Sequence, residues 1–254
     1  MSKVWAKLVF ILLIIFTINT MTKLIYLENQ NQYESKAKVL EISNTENGKA
    51  IILDQTIFYI QGGGQPGDKG LVVNEDGTFE VTKTVFSEEG VALHLGNFVQ
   101  GSFEVNTEVD LKVDIPSRKL NSKIHSAGHL IDLAVKNSGL TWKSGKSYHY
   151  PEGSYIEYTS DFSEDLGTQI SSLIEQINNE YDNLVTQNLP FQIRLDKSQS
   201  YKGQPLRIVT IAGLIDCPCS GTHVENTSEL EGFKITKIKV KSGVIKVSYS
   251  KSQV

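Results

Sequence analysis

The stretch IHSAGHL places two histidines, His125 and His129, four residues apart. Residues i and i+4 of an α-helix lie one turn apart on the same face, so the two rings could direct nitrogens at one metal ion. The residues between them include no glutamate, which excludes the metalloprotease helix that needs a glutamate as its base. Such a pair taken alone is more often incidental than a pair of ligands.

A second stretch, DCPCSGTHV, supplies two further candidate ligands, Cys219 and His223. They are separated by Ser-Gly-Thr, a sequence that can turn tightly. One thiolate and three imidazoles make a tetrahedral ligand set of the kind that zinc prefers. The two stretches together therefore predict one bound Zn²⁺. Cys217 is either a further ligand or, as we expect, a small buried apolar residue.

The spacing of these residues leaves the role of the ion open. A zinc ion held by four protein ligands is usually structural, whereas an ion that activates water or binds a substrate's amine or hydroxyl is functional. The remaining histidines, His94 and His149, lie in predicted strand or loop segments, and we expect them to be structural or exposed.

The composition is that of a globular protein with a nearly balanced charge. The chain has 254 residues, of which 39% are hydrophobic, and its formal net charge is −4. This length allows one large core or two smaller ones, and the charge excludes a strong overall basic field for nucleic acid. The two cysteines are separated by a single proline, so a disulfide is unfavourable and a reducing compartment is expected.

The first 20 residues differ from the rest of the chain. Lys3 and Lys7 precede an apolar run at residues 8–18, which is too short to span a membrane comfortably but suits a signal sequence or a short anchor. The alternative is an upstream extension outside the working protein, with Met21 as the start. We favour this second alternative and predict a cytoplasmic protein, which would contact a membrane only if residues 1–20 form a genuine anchor.

Hydrophobic periodicity divides the rest of the chain in two. Residues 21–110 contain short apolar runs separated by turn residues, which predict a small β-barrel. Residues 111–254 contain two helical patterns, one from Pro116 to a stop at Gly139 and one from about Glu164 to Gln187, together with several strand patterns. The predicted fold class is α+β, with a small N-terminal β-barrel domain followed by an α+β domain that has an antiparallel sheet and helices.

The loop QGGGQPGDKG interrupts the strand patterns of the first domain. Three successive glycines, Gly62, Gly63 and Gly64, allow positive φ angles and a close approach of the backbone to a ligand. Gln65 is the first following side chain that can both donate and accept hydrogen bonds. Composition alone favours a wide turn between strands over a functional loop.

Three motifs in this order, FYIQGGGQPGD, HSAGHL and CPCSGTHV, resemble the AlaX family of free-standing alanyl-tRNA editing proteins. The resemblance extends from Met21 to the end of the chain, and it includes similarity to the editing domain of alanyl-tRNA synthetase. A glycine-rich loop in a preceding β-barrel is typical of the family's medium-length members. Ser220 stands where the family usually has glycine, while the spacing of cysteine and histidine is kept.

The resemblance implies hydrolysis of the ester that joins a wrong amino acid to tRNA(Ala), chiefly serine, with glycine as a second candidate. It implies one zinc ion that orients the amino acid, held by His125, His129, Cys219 and His223. Gln65 is then the candidate catalytic residue. The residues expected to contact the substrate are Gly62, Gly63, Gly64 and Thr222. An aminoacyl ester is labile, so positioning and water activation could suffice without a covalent intermediate.

A lysine-rich strand supplies a candidate contact for the nucleic acid. In KITKIKVK, Lys237, Lys239 and Lys241 alternate with apolar residues, so one strand face is cationic. Lys237 and Lys239 could bind the phosphates of the tRNA acceptor end. The alternative is a solvated edge that lysines protect against aggregation. No protein partner is predicted.

Two other classes of function are consistent with these residues. One is a non-catalytic, zinc-stabilised module that binds tRNA or protein, in which Gln65 would not matter. The other is a membrane-tethered metallohydrolase that acts on a different ester.

Overall fold

A computed structural model describes residues 22–160, 167–201, 204–214 and 216–252. The chain forms two compact units: one contains residues through Gln61 together with Gly67–Asp114, and the other contains Gly62–Pro66 together with the chain from Ile115. Residues 62–66 of the glycine-rich loop, which include the three glycines and Gln65, therefore belong to the second unit. The hydrophobic extension, residues 1–20, lies outside the described residues, as does the predicted start of the second helix at Glu164.

Short strands with alternating apolar residues form the first unit. They are β1 (Lys23–Leu24), β2 (Glu34–Thr45), β3 (Gly48–Leu53), β4 (Gln55–Thr56), β5 (Gly70–Val73), β6 (Gly77–Phe86), β7 (Ala92–Gly101) and β8 (Glu108–Val113). Six of them close into an antiparallel barrel in the order β2-β3-β7-β6-β5-β8, and β8 pairs back with β2. The predicted small β-barrel is confirmed.

The barrel is filled by every second side chain of its strands. In β8 the alternation is complete, and the buried positions are Val109, Leu111 and Val113. They share a core with Ile51 of β3 and Phe79 of β6, both fully buried. Each such side chain contributes about 1.5–3 kcal/mol by leaving water, so the sequence pattern alone accounts for which strand face points inward.

His94 is a structural residue inside the first unit, where it is fully buried on β7. Its Nδ1 lies 3.1 Å from the carbonyl oxygen of Ile51, and its Nε2 lies 2.8 Å from Thr56 Oγ1. The ring therefore donates from Nδ1 and accepts at Nε2. Burial lowers the pKa of His94 to about 4, against the opposing effect of the bond to Ile51.

Acidification is expected to destabilise the first unit through His94. The folded-state pKa of about 4 lies below the usual value of 6.5, so the unfolded chain takes up the proton first as the pH falls. The stability present above about pH 6.5 is then lost towards about pH 4, by up to about 3 kcal/mol. Urea unfolding of the wild type and of His94→Gln at about pH 7 and about pH 4.5 measures this. The variant should lose less stability on acidification; an equal loss in both proteins would contradict the assignment.

Two α-helices and two antiparallel sheets are described in the second unit. The helices are α1 (Ile115–Asn137) and α2 (Ile170–Thr186), and the strands are β9 (Lys143–Tyr148), β10 (Ser154–Thr159), β11 (Phe191–Tyr201), β12 (Gln204–Ile211), β13 (Asp216–Pro218), β14 (Phe233–Lys241) and β15 (Val244–Lys251). One sheet has the order β14-β15-β10-β9, and the other has the order β11-β12-β13. The predicted α+β fold class is confirmed.

The ends of α1 follow the predicted signals. Pro116 lies in the first turn, where its missing N–H costs no hydrogen bond. Gly139 follows the C-terminus with a φ of 78°, the left-handed conformation that commonly ends a helix. Of the apolar positions on this helix, Ile124 is buried whereas Leu120 is 45% exposed, so the buried stripe begins a turn later than the pattern suggests.

The two helices pack against one face of the four-stranded sheet. Ile131 of α1, Ile177 of α2 and Val247 of β15 are fully buried in one core, which fixes the helix that carries His125 and His129. α2 begins at Ile170, after a short 3₁₀ turn. Across the described ranges, no helix combines the length and apolar character needed to cross a membrane.

Candidate metal centre

The four predicted ligands lie together in the second unit. His125 and His129 occupy successive turns of α1, and Cys219 and His223 lie in the loop after β13. Their candidate ligand atoms all lie within 4.8 Å of one another. His125 and His223 are buried, while His129 and Cys219 are partly exposed. A molecule in solution therefore approaches the centre from the side of His129 and Cys219.

Three of the distances between the candidate ligand atoms match the edges of a tetrahedral zinc site. The Nε2 atoms of His125 and His129 are 3.2 Å apart, and Cys219 Sγ lies 3.5 Å from the Nε2 atoms of both His125 and His223. Zinc bonds of about 2.0–2.1 Å to nitrogen and about 2.3 Å to sulfur give tetrahedral edges of about 3.3 Å and about 3.6 Å. The donor set and its spacing fit zinc.

Hydrogen bonds on the far side of two rings fix which nitrogens face the centre. His125 Nδ1 lies 2.6 Å from Gln65 Oε1, and His223 Nδ1 lies 3.1 Å from Ser126 Oγ. With the Nε2 atoms turned to the centre, each Nδ1 carries the hydrogen and donates it, as in metal-binding histidines with an outer partner. Ser126 Oγ also accepts the N–H of Val224, which ties α1 to the ligand loop.

Gln65, the predicted catalytic residue, has no exposed surface. Its Oε1 accepts hydrogen bonds from His125 Nδ1 and from the backbone N–H of Thr222 at 3.1 Å, and its Nε2 donates to Thr222 Oγ1 at 2.9 Å. The opposite amide orientation would place the NH₂ group against two N–H donors, so the network sets this orientation. Gln65 thus reaches the metal centre through His125.

The hydrogen-bond network of Gln65 continues from Thr222 to Ser122 and then to Arg118. Because Thr222 Oγ1 accepts from Gln65, its own hydrogen is donated to Ser122 Oγ at 2.7 Å. Ser122 in turn donates to the backbone carbonyl of Arg118 at 2.8 Å. Thr222, predicted to contact the substrate, is 1% exposed. Gln65 and Thr222 therefore lie behind the ligands, and neither is on the open side of the site.

The predicted glycines form a tight turn beside His125. The ends of the turn pair across a β-bridge, and Gly63 and Gly64 have φ angles of 53° and 77°, the positive values that a type I′ turn needs at both central positions. The Gly64 carbonyl accepts the N–H of His149 at 2.8 Å. A Cβ at Gly63 would lie 3.8 Å from His125 Cε1, so the turn covers that ring.

Arg207 and Gly221 shape the loop that carries Cys219. Arg207 is buried on β12, and its Nη1 donates to the carbonyl oxygens of Cys219 and Gly221 at 2.9 and 2.6 Å. A Cβ at Gly221 would lie 2.0 Å from His125 Cε1, so any side chain there would displace the ring of this candidate ligand. Sequence reasoning missed Arg207, because no motif around it marks a residue that clamps a distant loop.

The buried centre keeps its histidines neutral. Burial lowers the pKa of His125 and of His223 well below the usual value, with smaller contributions from neighbouring histidines and Arg207. Burial, followed by the charge of Arg207, lowers the pKa of His129 to about 4. Burial raises the pKa of the Cys219 thiol, while Arg207 and a backbone N–H oppose the rise. Neutral imidazoles are the form that binds metal, and coordination deprotonates a thiol.

His149 and Tyr249 complete the surroundings of the centre. The His149 ring stacks on His125 with centroids 4.7 Å apart, and its Nδ1 lies 2.5 Å from the Tyr249 hydroxyl. That hydroxyl donates to the carbonyl oxygen of Ile124, so it accepts from His149. Sequence reasoning did not place His149 against the candidate ligand His125, because the preceding strand β9 has no clear apolar alternation.

A cleft of about 580 Å³ opens beside the centre. Its walls include His129, Asp132, Trp142, Tyr158, Asp216 and Cys217. The Oδ1 atom of Asp132 accepts a hydrogen bond from the Tyr158 hydroxyl at 2.6 Å. Burial raises the pKa of Asp132 to about 6, and this hydrogen bond opposes the rise. Sequence reasoning did not select Asp132, which has no motif of its own.

Cys217 lies in this wall and outside the four-residue cluster. It is only partly buried, which corrects the expectation of a buried apolar residue. The reason is that β13 is an edge strand, paired on one side with β12. Burial still raises the pKa of the Cys217 thiol to about 11.

The outer face of the four-stranded sheet carries lysines beside stacked tyrosines. Lys237 and Lys239 are exposed on β14, and Lys239 pairs with Lys246 of β15. The Nζ of Lys246 lies 3.3 Å from the centre of the Tyr155 ring. Tyr155 and Tyr148 stack at 5.5 Å, and the same Tyr148 stacks on a further tyrosine at 4.1 Å. The lysine–tyrosine face consists of Lys237, Lys239, Lys246, Tyr148, Tyr150 and Tyr155.

Two family models match the chain. The model described as tRNA synthetases class II (A) matches residues 16–117. The model described as the threonyl and alanyl tRNA synthetase second additional domain matches residues 206–246, which include Cys219 and His223. The matched ranges thus include the strands of the barrel and two of the four candidate ligands, and over these ranges the chain is similar to synthetase domains.

Three individual relatives show which proteins of aminoacyl-tRNA metabolism the chain is similar to. Alanine–tRNA ligase 1 of Lachnoclostridium phytofermentans is 32% identical over 73% of this chain and 22% of the ligase. Alanine–tRNA ligase of Methanococcus vannielii is 32% identical over 90% of this chain and 26% of the ligase. The alanyl-tRNA editing protein AlaX-L of Pyrococcus horikoshii is 26% identical over 87% of this chain and 56% of that protein. The chain spans less than two thirds of each relative, and the predicted resemblance to the alanyl-tRNA editing family is confirmed.

Proposed function

We propose that the protein is a zinc-dependent deacylase that hydrolyses the ester bond of mischarged tRNA(Ala), chiefly Ser-tRNA(Ala) and also Gly-tRNA(Ala). The observation that carries the proposal is the convergence of three imidazoles and one thiol at zinc spacing beside an open cleft. Similarity to a protein named for alanyl-tRNA editing supports the same activity. Since aminoacylated tRNA is made and used in the cytoplasm, the proposal places the protein in that compartment.

The cleft beside His129 has room for an aminoacyl group next to the centre. A zinc ion bound there would act as a Lewis acid toward the amino acid or its ester carbonyl. The chain supplies positioning, because His125 and His223 are held from behind through their Nδ1 atoms. An aminoacyl ester is labile, so orientation of the ester and of a water molecule suffices for hydrolysis without a covalent intermediate.

Gln65 has a positioning role in the proposed reaction. Its amide oxygen and NH₂ group are both engaged by His125 and Thr222, so direct contact with the ester would break these bonds. Thr222 acts one step further back in the same network. The turn at residues 62–64 places backbone atoms beside His125. Because these three glycines have no side chains, the turn can contact the substrate only through its backbone.

The lysine–tyrosine face is the proposed contact for the acceptor end of the tRNA. Ammonium groups bind phosphates, and tyrosine rings stack with unpaired bases. Tyr148 and Tyr150 flank His149 in the sequence, and His149 packs on the ligand His125, so the face begins beside the metal centre. Unpaired nucleotides at the 3′ end could stack there while the terminal ester reaches the cleft.

Replacing Lys239 and Lys246 with glutamine is expected to weaken tRNA binding and to reduce its salt dependence. Two lost phosphate contacts lower the slope of log K against log salt by about 1.5. Equilibrium binding of tRNA(Ala) at several salt concentrations gives that slope. The matched control is Lys234→Gln on the same strand, since Lys234 pairs with Asp182 at 3.3 Å. An unchanged slope in the double variant, or an equal change in the control, would argue against this contact.

Incubation with tRNA(Ala) carrying serine, glycine or alanine tests the proposed function. The zinc-loaded protein should release serine fastest, glycine next and alanine slowest. Treatment with a chelator should stop release, and added zinc should restore it. Release of serine no faster than in buffer alone would overturn the proposal.

Four protein ligands at tetrahedral spacing are also the usual set of a structural zinc site. This observation favours, as the second candidate, a non-catalytic zinc-stabilised module that binds tRNA or protein. The same incubation separates the two candidates. A binding module would retain tRNA without releasing the amino acid, and it would lose stability when the metal is removed.

A further inference from the structure

We propose that Asp132 binds the α-ammonium group of the substrate's amino acid, in a subsite formed with Trp142 and Tyr158. The inference rests on the proposed deacylase function. It assigns a ligand chemistry to the cleft, namely a primary ammonium group two bonds away from an ester carbonyl carbon.

Asp132 lies where an ester held at the metal centre would carry its ammonium group. It follows the ligand His129 by three residues on α1, and residues at this spacing share a helix face with Cβ atoms about 5–6 Å apart. Both side chains line the same cleft. A carbonyl group beside His129 therefore brings the α-nitrogen towards the Asp132 carboxylate.

The Asp132 carboxylate has one oxygen engaged and one available. Oδ1 accepts the hydroxyl hydrogen of Tyr158 at 2.6 Å, which fixes the orientation of the carboxylate. Among the described residues, no donor is bonded to Oδ2 and no cation pairs with it, although Lys136 lines the same cleft. Burial raises the pKa of Asp132 only to about 6, so the group is ionised at neutral pH. Even a partly buried carboxylate without a cation is unfavourable, and a cationic ligand offsets that cost.

Two aromatic rings give the subsite walls that suit a cation. Trp142 and Tyr158 have ring centroids 5.7 Å apart at an interplanar angle of 51°, and both line the cleft. Aromatic faces attract ammonium groups, and tryptophan does so most strongly. A carboxylate beside two aromatic rings favours an amino ester over an ester that carries a neutral hydroxyl at the same position.

Hydrolysis of two substrates by two variants tests the subsite. The substrates are Ser-tRNA(Ala) and its deaminated form, in which a hydroxyl replaces the α-ammonium group. The variants are Asp132→Asn and the control Asp216→Asn; Asp216 also lines the cleft, but Arg194 already pairs with it at 3.0 Å. Each protein is zinc-loaded, and zinc content and melting temperature are measured beside kcat/KM.

Asp132→Asn should lower kcat/KM for Ser-tRNA(Ala) by about 10- to 100-fold, because the variant loses one hydrogen bond to a charged group and a bond of that kind corresponds to a factor of this size. It should change the rate for the deaminated substrate by less than about 2-fold. Because each ratio compares two proteins on one substrate, the different intrinsic reactivities of the two esters cancel. Parallel losses on both substrates would indicate a structural or proton-transfer role and would overturn the subsite, as would no loss at all or an equal effect of Asp216→Asn.

A binding measurement separates this inference from the proposed function. Serine joined to the 3′ position of adenosine by an amide is not readily hydrolysed, and its α-hydroxy counterpart lacks only the ammonium group. If the wild type released neither amino acid nor hydroxy acid, the deacylase proposal would fail. Calorimetric titration with these two compounds would then still test whether the subsite binds the ammonium group. Tighter binding of the amine, lost in Asp132→Asn, would support the subsite; equal affinities in the wild type would overturn it.

Discussion

Replacement of Cys219 with alanine is expected to remove zinc and to lower deacylation by more than about 100-fold. Loss of an outer partner of a metal ligand typically costs about 10- to 100-fold, and loss of a ligand costs more. Cys219 is also the one member of the cluster that becomes anionic when it binds metal, so its loss leaves three neutral imidazoles. Elemental analysis and single-turnover hydrolysis of Ser-tRNA(Ala) measure the two effects.

Cys217→Ala is the matched control for this experiment. Cys217 lies two residues away and in the cleft wall, but it does not belong to the cluster of ligand atoms. Its replacement should leave about one zinc per chain and near-normal release of serine. Zinc and activity retained in Cys219→Ala, or lost equally in Cys217→Ala, would contradict the ligand assignment.

Replacement of Gln65 with alanine is expected to slow deacylation by about 10- to 100-fold at saturating zinc, the range seen when an outer partner of a ligand is removed. The change deletes the acceptor for His125 Nδ1 and the two hydrogen bonds between Gln65 and Thr222. Buried groups left without a partner cost about 1–3 kcal/mol each, so the melting temperature should also fall. Single-turnover hydrolysis and zinc titration, both below the melting transition, measure the rate and the zinc affinity, and thermal melting measures the stability.

Two companion variants define the role of Gln65. Gln65→Glu keeps an acceptor for His125 Nδ1, so it should recover most of the zinc affinity. Gln61→Ala changes a nearby partly buried glutamine whose side chain has no hydrogen bond among the described residues, and it should behave as the wild type. A loss of about 10²–10³ that glutamate fails to rescue would instead indicate direct contact with the reacting ester. An unchanged rate in folded, zinc-loaded Gln65→Ala would remove Gln65 from the mechanism.

Local sequence patterns were sufficient for the secondary elements that carry the site. The extent of α1 follows from Pro116, the apolar period and Gly139, each of which acts within one helical turn of its neighbours. Alternation of apolar residues was likewise sufficient for the strands of the barrel. The second helix ends at Thr186, next to the predicted end at Gln187, while its predicted start at about Glu164 lies outside the described residues.

The four-residue cluster was also predicted from sequence, because residue type and spacing strongly restrict which side chains can form a metal site. A histidine pair at i and i+4 is oriented by the helix alone, and Cys219 and His223 lie within one short loop. The meeting of these two segments, however, spans 94 residues between His125 and Cys219. The identity of the side chains follows from the sequence, whereas packing brought their candidate ligand atoms to within 4.8 Å of one another.

What the tertiary structure alone decided is the direction in which polar side chains point. Gln65 bonds to His125 across 60 residues and to Thr222 across 157, so its place behind the ligands has no local signature. The stacking of His149 on His125 and the pairing of Asp132 with Tyr158 are of the same kind. Composition and periodicity report burial along one element, whereas a hydrogen bond between distant elements depends on their packing to within a few tenths of an ångström.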